Sequence, residues 1–105
     1  MMYATVVGGV TRINVLKTKG ERDFLEIQLA SDNVSGISTF WKCHSYFPSH
    51  LKLVSTLYVG QQLIICGELT RIEAYLTKDG EPAACPVLRI NDIAFVRPAP
   101  RGHEP

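Results

Sequence analysis

The sequence predicts an all-β domain, a five-stranded Greek-key barrel with one short helix between strands 3 and 4. Three observations carry that expectation. The stretch FLEIQLAS alternates strictly, with Leu25, Ile27 and Leu29 on one face and Glu26 and Gln28 on the other, as a half-buried strand does. Segments rich in β-branched residues recur along the chain, separated by charged or glycine-containing turns. Helical spacing occurs in one place, SHLKLVSTLY, where Leu51, Val54 and Leu57 recur every three residues.

The first strand is YATVVGGVTRINVL, Tyr3 to Leu16, whose Gly8-Gly9 pair suits a bend or bulge in a long strand. KTKGERD is a charged turn into FLEIQLAS, and SDNVSGIST is a polar loop leading to the third strand, TFWKCHSYF. After Pro48 the helix begins, with Ser49 as its expected cap and Val59-Gly60 as its stop. QQLIICGEL is apolar on both faces, as a central or interface strand is, and extends through TRIEAY. Lys78-Asp79-Gly80 marks a hairpin. PVLRINDIAFV closes the domain, and because Leu88 and Ile90 lie in one phase and Ile93 and Phe95 in the other, a bulge is expected near Asn91-Asp92. Residues 1–97 form the domain, and PAPRGHEP, without apolar periodicity, is a flexible Pro-containing tail over 98–105. Three strands, a helix and two strands is the element order of an OB-fold.

Composition narrows the class of function. One domain fits 105 residues, of which 46% are hydrophobic and 20% charged, ordinary values for a soluble globular protein. No long apolar run or leader-like start is evident, so a soluble, non-secreted and cytoplasmic protein with no membrane contact is expected. Cys43, Cys66 and Cys85 are odd in number and form no CxxC pair, and are read as reduced thiols with no metal or cofactor. The formal charge is +1, so a nucleic-acid partner has to be held by a local patch. His44, His50 and His103 lack a carboxylate or cysteine at catalytic spacing, Cys43 and His44 point to opposite faces of one strand, and there is no glycine-rich phosphate loop. The chain is therefore read as a non-enzyme.

The third strand poses the main question. One face carries Phe40, Lys42, His44 and Tyr46, the other Trp41, Cys43, Ser45 and Phe47, and neither is a clean core. On residues alone Trp41 serves equally well as a core residue or as an exposed platform.

From Tyr3 to about Val96 the chain resembles the bacterial single-stranded-DNA-binding proteins (SSB) and their relative in replication restart, primosomal protein B. The resemblance rests on V-V-G-G-V, I-Q-L-A-S, T-F-W with Phe47 six residues after the tryptophan, L-Y-V-G, L-I-I-C-G-E-L and T-K-D-G, in that order. It implies that Trp41 and Phe47 stack on bases, that Tyr75 stands near the hairpin where the family has a binding aromatic, and that Lys42, where SSB typically has histidine, lies near a subunit contact. The Trp41/Phe47 face then becomes a wet platform, and the Phe40/Lys42/His44/Tyr46 face is shared between barrel interior and oligomer interface. A homodimer or homotetramer is implied, with replication or restart proteins as further partners. The short tail lacks the acidic tip by which SSB proteins recruit others.

The chemistry is consistent with that function. Every base has a π-face, so stacking gives sequence-tolerant affinity, on the order of 1 to 3 kcal/mol per base. Phosphates need cations beside the platform, and Arg12, Lys17, Lys19 and Arg22 cluster on the first strand and the turn after it, with Arg71 and Lys78 on the strand 4 to 5 side. Glu21 and Asp23 stand among the first group, so a merely solvated turn is the alternative there. Two functions remain: single-stranded DNA binding, or an OB-fold protein-interaction module with little DNA affinity.

Overall fold

In a computed structural model, which describes residues 1–32 and 38–96 of the chain, five strands close into a barrel. They are β1 (Tyr3–Lys17), β2 (Asp23–Asp32), β3 (Ser38–Ser45), β4 (Gln62–Leu76) and β5 (Pro82–Phe95), in the order β1-β2-β3-β5-β4 around the barrel. All neighbours are antiparallel except β3 and β5, whose parallel pairing of Lys42 with Val87, Cys43 with Leu88 and His44 with Arg89 closes the Greek key. Parts of the expected polar loop and the whole expected tail lie outside the described residues.

The alternation of β2 is realised as expected, since Leu25, Ile27 and Leu29 have no exposed surface. They meet Val6 and Val10 of β1, Leu63 and Ile65 of β4, and Leu88 and Ile90 of β5 in one core. β1 serves two neighbours in turn. Tyr3 to Gly9 pairs with β4, and Gly9 to Lys17 pairs with β2, with the irregularity at Thr11, between Val10 and Arg12. Gly8 is needed for a close approach, because a Cβ there would stand 2.6 Å from the Ala30 carbonyl oxygen. In β5 the bulge expected near Asn91-Asp92 is present: Cys66 faces Asp92 and Gly67 faces Ile90, leaving Asn91 unmatched.

The helix is shorter than expected. α1 spans Pro48–Leu51 and passes directly into a 3-10 turn over Lys52–Ser55. Ser49 does not cap it. Phe47 occupies the cap position without a side-chain bond, and Pro48, with its fixed φ and missing N–H, starts the first turn. Leu57 is buried, whereas Val54, expected on the apolar face, is exposed, and Leu53 packs against the core beside Leu51 instead. Gly60 ends the segment at φ 94°, as Val59-Gly60 suggested.

β4 and β5 are longer than the barrel requires. Their outer halves continue as a two-stranded arm, Arg71 to Leu76 against Pro82 to Val87, turning through Thr77 to Gly80, with Gly80 at φ 78°. β5 begins four residues before the expected Pro86, in an Ala/Pro-rich segment without apolar periodicity.

Candidate nucleic-acid interface

The register of β3 decides which of its two mixed faces is inside. Trp41, Cys43 and Ser45 lie opposite Leu29, Ile27 and Leu25, so this set points into the barrel. Cys43 and Ser45 have no exposed surface, and Trp41 is half-buried and packs against the core. This corrects the expectation that the Trp41/Phe47 face is the wet platform. Phe47 does not share that strand face, since β3 ends at Ser45 and Phe47 turns into α1, half-exposed. The interior role expected of the other face is corrected as well, because Phe40, Lys42, His44 and Tyr46 form the outward surface of β3.

That outward surface is the floor of a groove. At one end Phe40 and Tyr75, both exposed, flank a cleft with Gln28, Lys42, Glu73, Ala74 and Cys85 around it. Its volume, about 230 Å³, is below the roughly 300–1,000 Å³ of sites that enclose a drug-sized ligand, and suits one planar ring entering from outside. The Lys42 ammonium donates to Glu73 at 2.8 Å, and the Arg71 guanidinium donates to the other Glu73 oxygen at 2.9 and 3.1 Å. Next along β3, His44 and Glu26 are 2.8 Å apart, with Phe24 edge-on to the imidazole at 5.1 Å. A second cleft joins His44, Tyr46, Thr70, Arg71 and Arg89. The third joins Tyr46, Phe47, Arg22, Arg89 and Asn91. Here Phe24 stacks on Tyr46 at 5.1 Å, the Arg22 guanidinium lies 5.7 Å from the Tyr46 ring centre, and it donates to the Tyr46 carbonyl at 3.2 Å. Arg89 is paired with Glu68. The second and third clefts share Tyr46 and Arg89, and the Lys42–Glu73–Arg71 contact stands between the first and the second, so the three follow one another as a groove along β3, about 20 Å at ~3.3 Å per residue.

The expected site residues are distributed unevenly around this groove. Tyr75 and Arg71 line it from the arm, and Arg22 and Phe47 close its far end. Arg12 pairs with Gln28 in the β1–β2 ladder and so projects from the groove side of the sheet. Lys17 is tied to Asp23 at 2.9 Å, and with exposed Lys19 it stays on the turn beyond the groove, while Lys78 is at the arm's tip. Trp41 stands on the opposite face of β3 from the groove. Sequence reasoning missed Phe40, Lys42, Tyr46, Gln28 and Arg89. Arg89 carries a legible signal, a charge between the core residues Leu88 and Ile90.

Among the described residues one pair has the spacing of a catalytic dyad. The Ser45 hydroxyl is 2.5 Å from His50 Nδ1, the spacing of a nucleophile and base, but Ser45 is fully buried and its oxygen accepts from the Phe47 N–H. The pair pins α1 to the end of β3. Burial pushes the Cys43 thiol up to about 12, with the Cys85 thiol adding to the effect. Among the described residues no cluster of His, Cys, Asp or Glu is placed to hold a metal, and no helix is long and apolar enough to cross a membrane.

The shape of the barrel is shared with solved proteins. A small single-stranded DNA-binding protein from Streptomyces coelicolor superposes with a TM-score of 0.70, at 14% identity over 90% of this chain and 94% of that one. The chain shares its OB-fold. A mitochondrial single-stranded DNA-binding protein of S. cerevisiae superposes with a TM-score of 0.67 at 13% identity, covering 93% and 97%. The Plasmodium falciparum SSB, solved in complex with single-stranded DNA, gives 0.65 at 14%, covering 92% and 96%. No protein-family model matches the chain, and no curated protein matches it in sequence. In this barrel the groove lies on the face made by β2 and β3 and flanked by the β1–β2 and β4–β5 connections, where OB-folds commonly hold oligonucleotides.

Proposed function

We propose that the chain is a non-catalytic single-stranded-DNA-binding protein, acting in replication, restart, recombination or mobile-element maintenance. The observation that carries this reading is the row of clefts lined by aromatics and cations along the outward face of β3. Tyr75 and Phe40 flank one stacked base at the arm, and Phe47 with Tyr46 serves another at the far end. Arg71, Lys42, Arg89 and Arg22 lie between them for phosphates, with Arg12, Lys17, Lys19 and Lys78 at the margins. Trp41 supports the floor from beneath, packed against the core. Duplex DNA is excluded by the same geometry, because paired bases cannot present their faces to Phe40 or Tyr75. The experiment is a titration of labelled oligo(dT), its duplex and an RNA of equal length. Tight binding to the single strand alone is expected, and equal affinity for the duplex refutes the reading.

The chain further acts as a homodimer or homotetramer. Tyr3 and Val7 project exposed from the part of β1 that pairs with β4 alone, beside Ile64 and Cys66, with Thr5 between them and Glu68 opposite Tyr3, a mainly apolar face that one barrel leaves uncovered. Replication or restart proteins are its expected further partners.

A protein-interaction module with little DNA affinity is the second reading, and one observation favours it. The side of the arm turned away from the groove is apolar, with Ile72 and Leu76 paired to Pro86 and Pro82 and both strongly exposed. Removing that surface with Ile72→Ser and Leu76→Ser leaves oligo(dT) affinity intact under the first reading.

A further inference from the structure

Resting on the reading of the groove as a single-strand site, we infer that Glu73 is a built-in competitor of the DNA phosphates: it occupies Lys42 and Arg71 in the free protein, and a strand must displace it to bind. The geometry is specific to these three residues. One Glu73 oxygen accepts from the Lys42 ammonium at 2.8 Å, and the other accepts two bonds from the Arg71 guanidinium, at 2.9 and 3.1 Å. A single carboxylate thus satisfies two of the groove's cations as a phosphate does, one oxygen to each. The partners come from different places. Lys42 lies on β3, and Arg71 and Glu73 lie on the arm, so the contact also holds the arm against the floor. The same hydrogen bonds keep Glu73 below the usual carboxylate range and Lys42 above the usual lysine range, so the pair stays charged at neutral pH.

The consequence is thermodynamic. A cation solvated by dissolved anions releases them when a phosphate arrives, and for single strands the logarithmic salt slope is about 0.7 per phosphate neutralised. A cation held by Glu73 releases a tethered carboxylate instead, which adds nothing to the salt slope and competes at high effective concentration. Glu73 therefore keeps affinity and salt dependence low and makes binding readily reversible. A nearly neutral protein with a cationic groove is the expected outcome.

The test compares Glu73→Gln with Glu81→Gln, which makes the same charge change at an exposed position by the arm's turn. Each is titrated with oligo(dT) from about 50 to 200 mM salt. Glu73→Gln is expected to bind at least about tenfold tighter at the low end, with a slope steeper by about 1.4 for two freed cations. Glu81→Gln should match the parent closely. No gain, or equal gain in both variants, overturns the inference, the second result showing only net charge. Glu73→Asp, which keeps the charge and shortens its reach, should fall between, and covers the case in which Glu73→Gln lowers the melting temperature. Elution from a heparin column separates the two levels of the reading. If no variant binds oligo(dT) but Glu73→Gln alone is retained to higher salt, Glu73 does mask the two cations and the DNA reading falls. If none binds and all elute together, both fall.

Discussion

Trp41 sits directly opposite Leu29 in the antiparallel β2–β3 ladder, and since Leu29 has no exposed surface the indole is directed at the core rather than laid on the barrel's outside. Its Nε1 is buried without a hydrogen-bond partner among the described residues. Trp41→Ala is therefore expected to destabilise the fold by about 2–4 kcal/mol, somewhat less than for a fully buried tryptophan. Trp41→Phe should cost less than its lost area suggests, because it also removes an unpaired N–H. Denaturant unfolding of both variants checks this, and an unchanged midpoint for Trp41→Ala contradicts the packing.

The aromatics of the groove should behave in the opposite way. Phe40→Ala and Tyr75→Ala each remove an exposed ring, so stability should shift by no more than about 0.5 kcal/mol. Single-strand affinity should weaken by about 1–3 kcal/mol for each, and Tyr75→Phe should retain most of it. Melting temperature and oligo(dT) affinity measured on the same samples distinguish this from a folding defect.

The Ser45–His50 contact makes stability depend on pH. The Ser45 oxygen accepts from the Phe47 N–H and lies 2.5 Å from His50 Nδ1, and the neutral imidazole, unlike the protonated one, leaves that nitrogen able to accept the hydroxyl proton. Burial lowers the His50 pKa from 6.5, opposed by the nearby Asp92 carboxylate. With the folded pKa below the unfolded one, the unfolded chain takes up the proton first, and stability is lost as pH falls below about 6.5. Melting temperature should decline between pH 7.5 and 5.5, and the decline should be smaller in His50→Gln. Identical pH profiles would show that the contact carries no such linkage.

The three thiols should separate by reactivity. Burial, together with the neighbouring Cys85 thiol, holds Cys43 at about 12, and burial also raises Cys85. Thiolate is the reactive form, so both should be inert in the folded protein at pH 8. Cys66, partly exposed beside the Thr5 hydroxyl at 3.4 Å, should label first once the Tyr3/Val7 face is uncovered, as in Tyr3→Lys with Val7→Lys. Mass spectrometry after brief alkylation should find one modified site, and three only after denaturation.

Assembly gives a prediction independent of DNA. If the Tyr3/Val7 face of β1 is covered by a second copy, light scattering should return at least twice the 11.7 kDa chain mass at micromolar concentration. Tyr3→Lys together with Val7→Lys should reduce it to one chain without loss of the core.

Much of the fold was legible because local chemistry and burial agreed. The alternation around Ile27 identified β2 and its inner face, Gly60 and Gly80 marked turns that need positive φ, and the change of phase after Ile90 located the bulge at Asn91. The length of α1 was less legible, since the Leu51/Val54/Leu57 spacing is compatible with both a regular helix and the tighter turn that Pro48 and the barrel wall permit. The face of β3 was not legible at all. Both of its sides carry aromatic and polar residues, and burial of a strand is a property of the sheet it joins rather than of its own side chains. Only the pairing of Trp41 with Leu29, and the parallel closure of Cys43 on Leu88, put Trp41 inside and Phe40 and Lys42 outside. The arm was hidden for a related reason: the Ala and Pro residues that open β5 have no inward partner to impose a period, because they pair beyond the end of the barrel. The sequence by itself thus determined the strands, their order and the kinds of residue available for binding. The closing of the barrel decided which of those residues share a surface.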